Sequence, residues 1–131
     1  MSKPTGTSGE RRFWATSLVI LGTLGLATGF YPVQGFWSSY TLDIVGPAWN
    51  FILIRGLFAK NQPTFLSKLF TPDLALGSIV SVCFLVETAQ YFGLYDAHFD
   101  PFDFLAYVSL LLPCYAIDKC LLHRRARQAS N

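Results

Sequence analysis

The feature that most constrains this chain is a series of apolar stretches, each about as long as a membrane-crossing helix. They cover residues 13–31, 40–58, 72–95 and 101–122. A helix rises about 1.5 Å per residue, so about 20 apolar residues cross a hydrocarbon layer of about 30 Å. Lipid cannot satisfy unpaired backbone groups, which leaves helices or a closed barrel as spanning structures, and four segments cannot close a barrel. The expected fold class is all-α, an integral membrane four-helix bundle. Residues 1–12 form a cytoplasmic N-terminal segment in this plan, 13–122 the transmembrane domain, and 123–131 a basic cytoplasmic tail.

Charge supports the same plan. Only 14% of the residues are charged and 52% are apolar, against about 25% charged in soluble chains, too few to coat a water-facing surface. The 10 basic residues all fall on one side of the four-helix plan. Lys3, Arg11 and Arg12 precede the first helix. Arg55, Lys60 and Lys68 end the second or follow it, and Lys119, Arg124, Arg125 and Arg127 end the fourth or follow it. The loops near residues 32–39 and 96–100 carry neither Lys nor Arg. Positive charge stays on the cytoplasmic side, so both termini are expected there, with a bacterial inner membrane as the setting. Arg11 and Arg12 before an apolar run also suit a signal peptide, but that run is long for one, and a retained helix is expected.

Local signals agree with these boundaries. Thr71-Pro72-Asp73 reads as a cap, a first-turn proline and a first-turn acid. Asp100-Pro101-Phe102-Asp103 has the same character. Trp14, Tyr31, Trp37, Tyr40 and Tyr95 stand near the expected interfaces, where aromatic side chains collect. Gly22, Gly25 and Gly29 share one face of the first helix, a helix-packing surface for a neighbour in this chain or a membrane-protein partner. Cys83, Cys114 and Cys120 have no disulfide-like spacing, and Cys120 with His123 supplies two ligands at most, so no metal and no cofactor are expected. The bilayer is the expected partner, and no nucleic acid is.

Polar residues inside the apolar runs are the candidate site. Glu87 lies eight residues before Tyr95, about 12 Å below that end of its helix. A carboxylate at that depth costs a few kcal/mol or more unless it is paired, hydrated or neutralised (about 2.5–3.5 kcal/mol for an acid at a helix centre). Gln90 and Tyr91 follow at i+3 and i+4, and Cys83 precedes at i−4, which predicts one polar stripe. Asp43, Gly46 and Asn50 share a face of the second helix, where Pro47 removes a backbone donor. Asp103 and Tyr107 share a face of the fourth helix, below Asp100 and His98. Together these predict an acidic pocket on the extracytoplasmic side, with Glu87, Gln90, Asp100, Asp103, Asp43, Asn50 and Tyr107 as ligand-binding candidates. Plainer roles stay open. Asp100 and Asp103 suit a helix cap, Asp43 a helix start, Asn50 and Gln90 interhelical hydrogen bonds, and Asp118 pairing with Arg55 or a near neighbour.

The stretch Glu87-Thr88-Ala89-Gln90-Tyr91-Phe92, followed by Asp100-Pro101-Phe102-Asp103-Phe104-Leu105-Ala106-Tyr107, resembles the VanZ-like family. These are small multi-helix membrane proteins named for a member associated with teicoplanin resistance. Their pattern is Glu-x-x-Gln in one helix, a short loop, then Asp-x-x-Asp opening the last. The resemblance covers about residues 74–119 and carries over Glu87, Gln90, Asp100 and Asp103. It brings no established reaction with it.

Two function classes follow, ahead of a third, a proton or small-cation path, for which Glu87 is a single intramembrane acid where a relay needs a chain of them. One is a protein that binds a polar or lipid-linked envelope molecule at the acidic pocket, where a cation or a sugar hydroxyl suits the site better than a phosphate. The other is a non-catalytic accessory or structural subunit of a larger membrane complex. Glu87 and Asp103 could serve as an acid and a base, but no nucleophile with an adjacent base, metal set or phosphate loop accompanies them, so enzyme chemistry is not expected.

Overall fold

The computed structural model of this chain describes residues 8–31, 35–57, 70–94 and 99–130, with side chains described at all of these but 37–39, 57 and 129. Four helices are present among them: α1 (Ser8–Phe30), α2 (Phe36–Leu57), α3 (Pro72–Tyr91) and α4 (Phe102–Ala129). The all-helical fold is as expected. Lys3, Lys60, Lys68, Tyr95, Asp96 and His98, and the side chain of Trp37, lie outside what is described.

Helix ends differ from the apolar limits, and the reasons are local. α1 begins at Ser8 rather than 13, because Glu10, Arg11 and Arg12 are compatible with helix and need only water or a partner for their charges. α4 runs on through the basic residues to Ala129, so the expected tail is largely a helical extension. Its 28 residues span about 42 Å, more than a hydrocarbon layer needs. α3 stops at Tyr91, short of 95, because Gly93 takes the left-handed conformation (φ 66°). Phe92 N–H then donates to the Thr88 carbonyl, Gly93 N–H to that of Gln90, and Leu94 N–H to that of Ala89. At its start Thr71 is the cap, its hydroxyl oxygen accepting from Leu74 N–H at 3.3 Å, with Pro72 in the first turn.

α2 is the central helix, packed against α1, α3 and α4, while α3 and α4 also pack on each other. The core reflects this. Ala48, Phe51 and Ile52 of α2 meet Trp14 of α1, Ala75 and Ile79 of α3, and Leu111 and Cys114 of α4. Among the described residues, α1, α3 and α4 are each long and apolar enough to cross a membrane. α2 has the length, but Asp43, Asn50 and Arg55 lower its hydropathy. That division is physically sensible, since the outer three present the apolar faces: Val19, Ile20, Leu24 and Leu26 on α1, Phe84 and Leu85 on α3, and Leu105 on α4 are all exposed. Hydroxyls on these helices bond back to their own backbone. Thr23 donates to the Val19 carbonyl, Thr28 to Gly25, Thr88 to Phe84 and Ser109 to Ala106. Such bonds let a polar side chain sit where water is scarce.

The glycine face of α1 is turned toward α2 for two of its three members. A Cβ on Gly22 would stand 3.0 Å from Trp49 Nε1, and one on Gly25 would contact Leu42 and Val45 at 3.6 and 3.7 Å. Trp49 Nε1 in turn donates to the Leu18 carbonyl at 3.1 Å. Gly29 faces open space.

Candidate functional site

The alternation of helix directions gathers charge into two ends. At the end where α1 and α3 begin and α2 and α4 finish, acids and bases are matched across helices. Asp118 of α4 accepts from Arg55 Nε of α2, and both are buried. Arg55 also donates to the Phe70 carbonyl at 2.7 Å. Asp73 of α3 accepts from Lys119 Nζ at 2.9 Å and from the Tyr115 hydroxyl at 2.5 Å, both on α4. Glu10 of α1 pairs with Arg125 of α4. The Asp118–Arg55 pair is one of the two arrangements the sequence left open. The other two pairs escaped it, because nothing in the local spacing of Glu10 or Asp73 announces a partner far along the chain. α4 thus carries one member of each of these three pairs.

The opposite end is acidic and is matched differently. Glu87 of α3 is fully buried, and the Tyr107 hydroxyl of α4 donates to its Oε1 at 2.5 Å. Glu87 Oε2 is also buried and has no hydrogen-bond partner among the described residues. Glu87 lies close enough for its charge to act on Asp43 of α2 and Asp103 of α4, and the charge of Asp103 also reaches Asp43. Among the described residues, no ion pair with Lys or Arg involves Asp43, Glu87, Asp100 or Asp103. An unpaired acidic cluster in a low-dielectric place attracts cations and hydrogen-bond donors and repels anions.

Asp100 stands at the edge of this end with both oxygens engaged. Its Oδ1 accepts from Phe102 N–H at 2.9 Å, which caps α4, and its Oδ2 accepts from the Tyr40 hydroxyl of α2 at 2.5 Å. These two donors, Tyr40 foremost, hold its carboxyl below the ordinary carboxylate range. The capping role read from Asp100-Pro101-Phe102-Asp103 is therefore present, and the tie to Tyr40 is additional. Tyr40 had suggested only an interfacial aromatic.

A cavity of about 440 Å³ opens between α2 and α3, with Asp43, Gly46 and Asn50 on one wall, Val82 and Cys83 on the other, and Tyr107 at its side. The i, i+3, i+7 face of α2 is thus a real surface. Asn50 Nδ2 donates to the Gly46 carbonyl at 2.9 Å, so part of its hydrogen-bonding capacity is used within its own helix. The lining is more apolar than the sequence suggested: Glu87, Gln90, Asp100 and Asp103 are not on it. Gln90 is half-buried one turn beyond Glu87, and its side chain has no hydrogen bond among the described residues. The polar stripe on α3 also divides. Glu87 points inward, whereas Tyr91 is exposed and makes edge contacts with Phe92 and Phe99. A span of i to i+4 covers about 40° of helix surface, and Glu87 sits at the boundary where that rotation leaves the interior.

No group of three or more metal-ligating side chains occurs among the described residues. No family model matches the chain, no curated protein matches it, and no solved structure matches it.

Proposed function

We propose that the chain is a VanZ-like, four-pass protein of the bacterial inner membrane with both termini cytoplasmic, and that it binds a polar or lipid-linked envelope molecule at an outward-facing acidic site. The observation that carries this reading is Glu87. It is fully buried, held on one oxygen by Tyr107, and its other oxygen has no partner among the described residues. A buried carboxylate oxygen left without a donor costs about 1–3 kcal/mol or more, and a ligand that supplies the donor recovers that cost. The basic end, with its matched pairs, faces the cytoplasm in this arrangement, and the acidic end faces outward.

A second reading, an accessory subunit of a larger complex, draws support from α1. Gly29 faces open space, and the apolar side chains around it are exposed. A small residue on such a face suits close approach of another helix. The two readings separate in one experiment on the full chain in its host membrane, scored for susceptibility to envelope-directed antibiotics and for co-purifying proteins. Glu87→Gln brings that susceptibility to the level of cells lacking the chain if the acidic site is used, with the variant still folded and of normal size in detergent. Gly29→Leu releases a co-purifying protein, and Glu87→Gln has no effect, if the accessory reading is right.

A further inference from the structure

We infer, building on the binding site proposed above, that the groove between α2 and α3 holds a single-chain amphiphile with a cationic or hydrogen-bond-donating head, an alkyl amine in its simplest form. The groove follows α2 from Leu42 to Ile54 and α3 from Ser78 to Val86. Twelve helical steps correspond to about 18 Å, and the volume of about 440 Å³ falls in the range of small-ligand sites, about 300–1,000 Å³. Leu42, Val82 and Val86 on its rim are exposed, so its mouth faces sideways, toward lipid in the proposed setting. Most of its length is apolar and suits a hydrocarbon chain.

The charged group of the lining stands at the Leu42–Val86 end, while the neutral Asn50 and Ser78 lie further along. Asp43 lies on the wall beside Tyr107, whose hydroxyl hydrogen is already given to Glu87 Oε1. Glu87 stands behind Tyr107, fully buried and off the groove's lining, and its charge reaches Asp43 on the wall. Pro47 lies inside α2 and has no N–H, so the Asp43 carbonyl loses its i+4 donor and is left as an acceptor. A head group arriving there meets the Asp43 carboxylate and a carbonyl, with the Glu87 charge behind them, a setting that favours an amine or hydroxyl and repels a phosphate or carboxylate. The charged end lies toward the acidic end of the bundle and the neutral end toward the middle, which is how an outer-leaflet amphiphile is oriented.

Native mass spectrometry of the full chain, released from nonionic detergent, tests this with three probes: tetradecylamine, tetradecanoate and ethanolamine. The expected result is one bound tetradecylamine at a concentration where the other two leave the protein bare. Occupancy falls about tenfold in Glu87→Gln and in Val82→Trp, the second of which fills the groove without touching an acid, and is kept in Asp73→Asn, an exposed acid at the other end. Equal binding of ethanolamine overturns the role of the chain and leaves the acidic site standing. Equal binding of tetradecanoate overturns the head-group class. Adducts indifferent to both Glu87→Gln and Val82→Trp, or no adduct at all, overturn the proposal outright.

Discussion

Tyr107 and Glu87 are joined across α3 and α4 by a hydroxyl–carboxylate hydrogen bond of 2.5 Å, and both side chains are buried. The bond satisfies one oxygen of the acid and leaves the other for something else. It fixes where the acid points, since a buried carboxylate follows its strongest donor.

Tyr107→Phe therefore leaves Glu87 with no side-chain donor among the described residues. The expected loss is about 1–3 kcal/mol of stability, read as a lower midpoint of thermal unfolding in detergent. In Tyr107→Phe/Glu87→Leu most of that loss is recovered, because no polar group is then stranded. Equal stability of Tyr107→Phe and the wild type would show that the bond is not formed.

The buried pair at the other end makes a sharper demand. Arg55→Leu strands Asp118 and also removes the donor to the Phe70 carbonyl. Breaking a buried pair from one side costs about 3–5 kcal/mol, whereas replacing both members by apolar residues is often near neutral. A double substitution, Arg55→Leu with Asp118→Leu, is thus expected to be more stable than Arg55→Leu alone. Chemical unfolding of the three proteins decides it.

The α1 glycines are expected to separate. Gly22→Ala pushes a Cβ to 3.0 Å from Trp49 Nε1 and disturbs its bond to the Leu18 carbonyl, a loss of about 0.5–1.5 kcal/mol. Gly29→Ala meets nothing and gains helix propensity, up to about 1 kcal/mol. Trp fluorescence during unfolding follows both; equal effects at the two sites contradict the α1–α2 packing.

Asp100 gives a pH test. Its folded carboxyl is held low by Tyr40 and Phe102 N–H, so its contribution to stability is full above the ordinary aspartate value of about 3.9 and is lost as pH falls through the lower folded value. Tyr40→Phe moves that carboxyl back up toward the ordinary range. Carbon-detected NMR titration of Asp100 in the two proteins measures the difference, and identical titration curves refute it.

Much of the architecture was legible because apolar length is a one-dimensional property. The four helices and the caps at Thr71 and Asp100 could be read from consecutive residues. The end of α3 could not be read from apolarity, since Phe92 and Leu94 look like more helix; the turn at Gly93 decides it. The site was legible in part for the same reason. Asp43, Gly46 and Asn50 are on one helix, and periodicity alone puts them on one face. Pairings between helices depend on rotation and depth together. That is why Tyr107 with Glu87, Tyr40 with Asp100 and Glu10 with Arg125 emerge only when the helices are packed.

The central place of α2 bears on how such a protein is made. In the proposed membrane setting α2 must enter the bilayer carrying Arg55, yet the acid that matches it lies 63 residues further along the chain. At about 5–20 residues per second, translation leaves that arginine waiting roughly 3–13 s. Arg55 lies in the last turn of α2, and until Asp118 arrives its charge is met only by reaching for the interface, so the first two helices lack the partner that holds it buried. Commitment of α2 comes with the arrival of α4, so a helix synthesised well after the second is the one that locks it in place. Glycosylation mapping of chains truncated after residue 99 should find α2 incompletely inserted, and full insertion in those chains would dismiss this order of assembly.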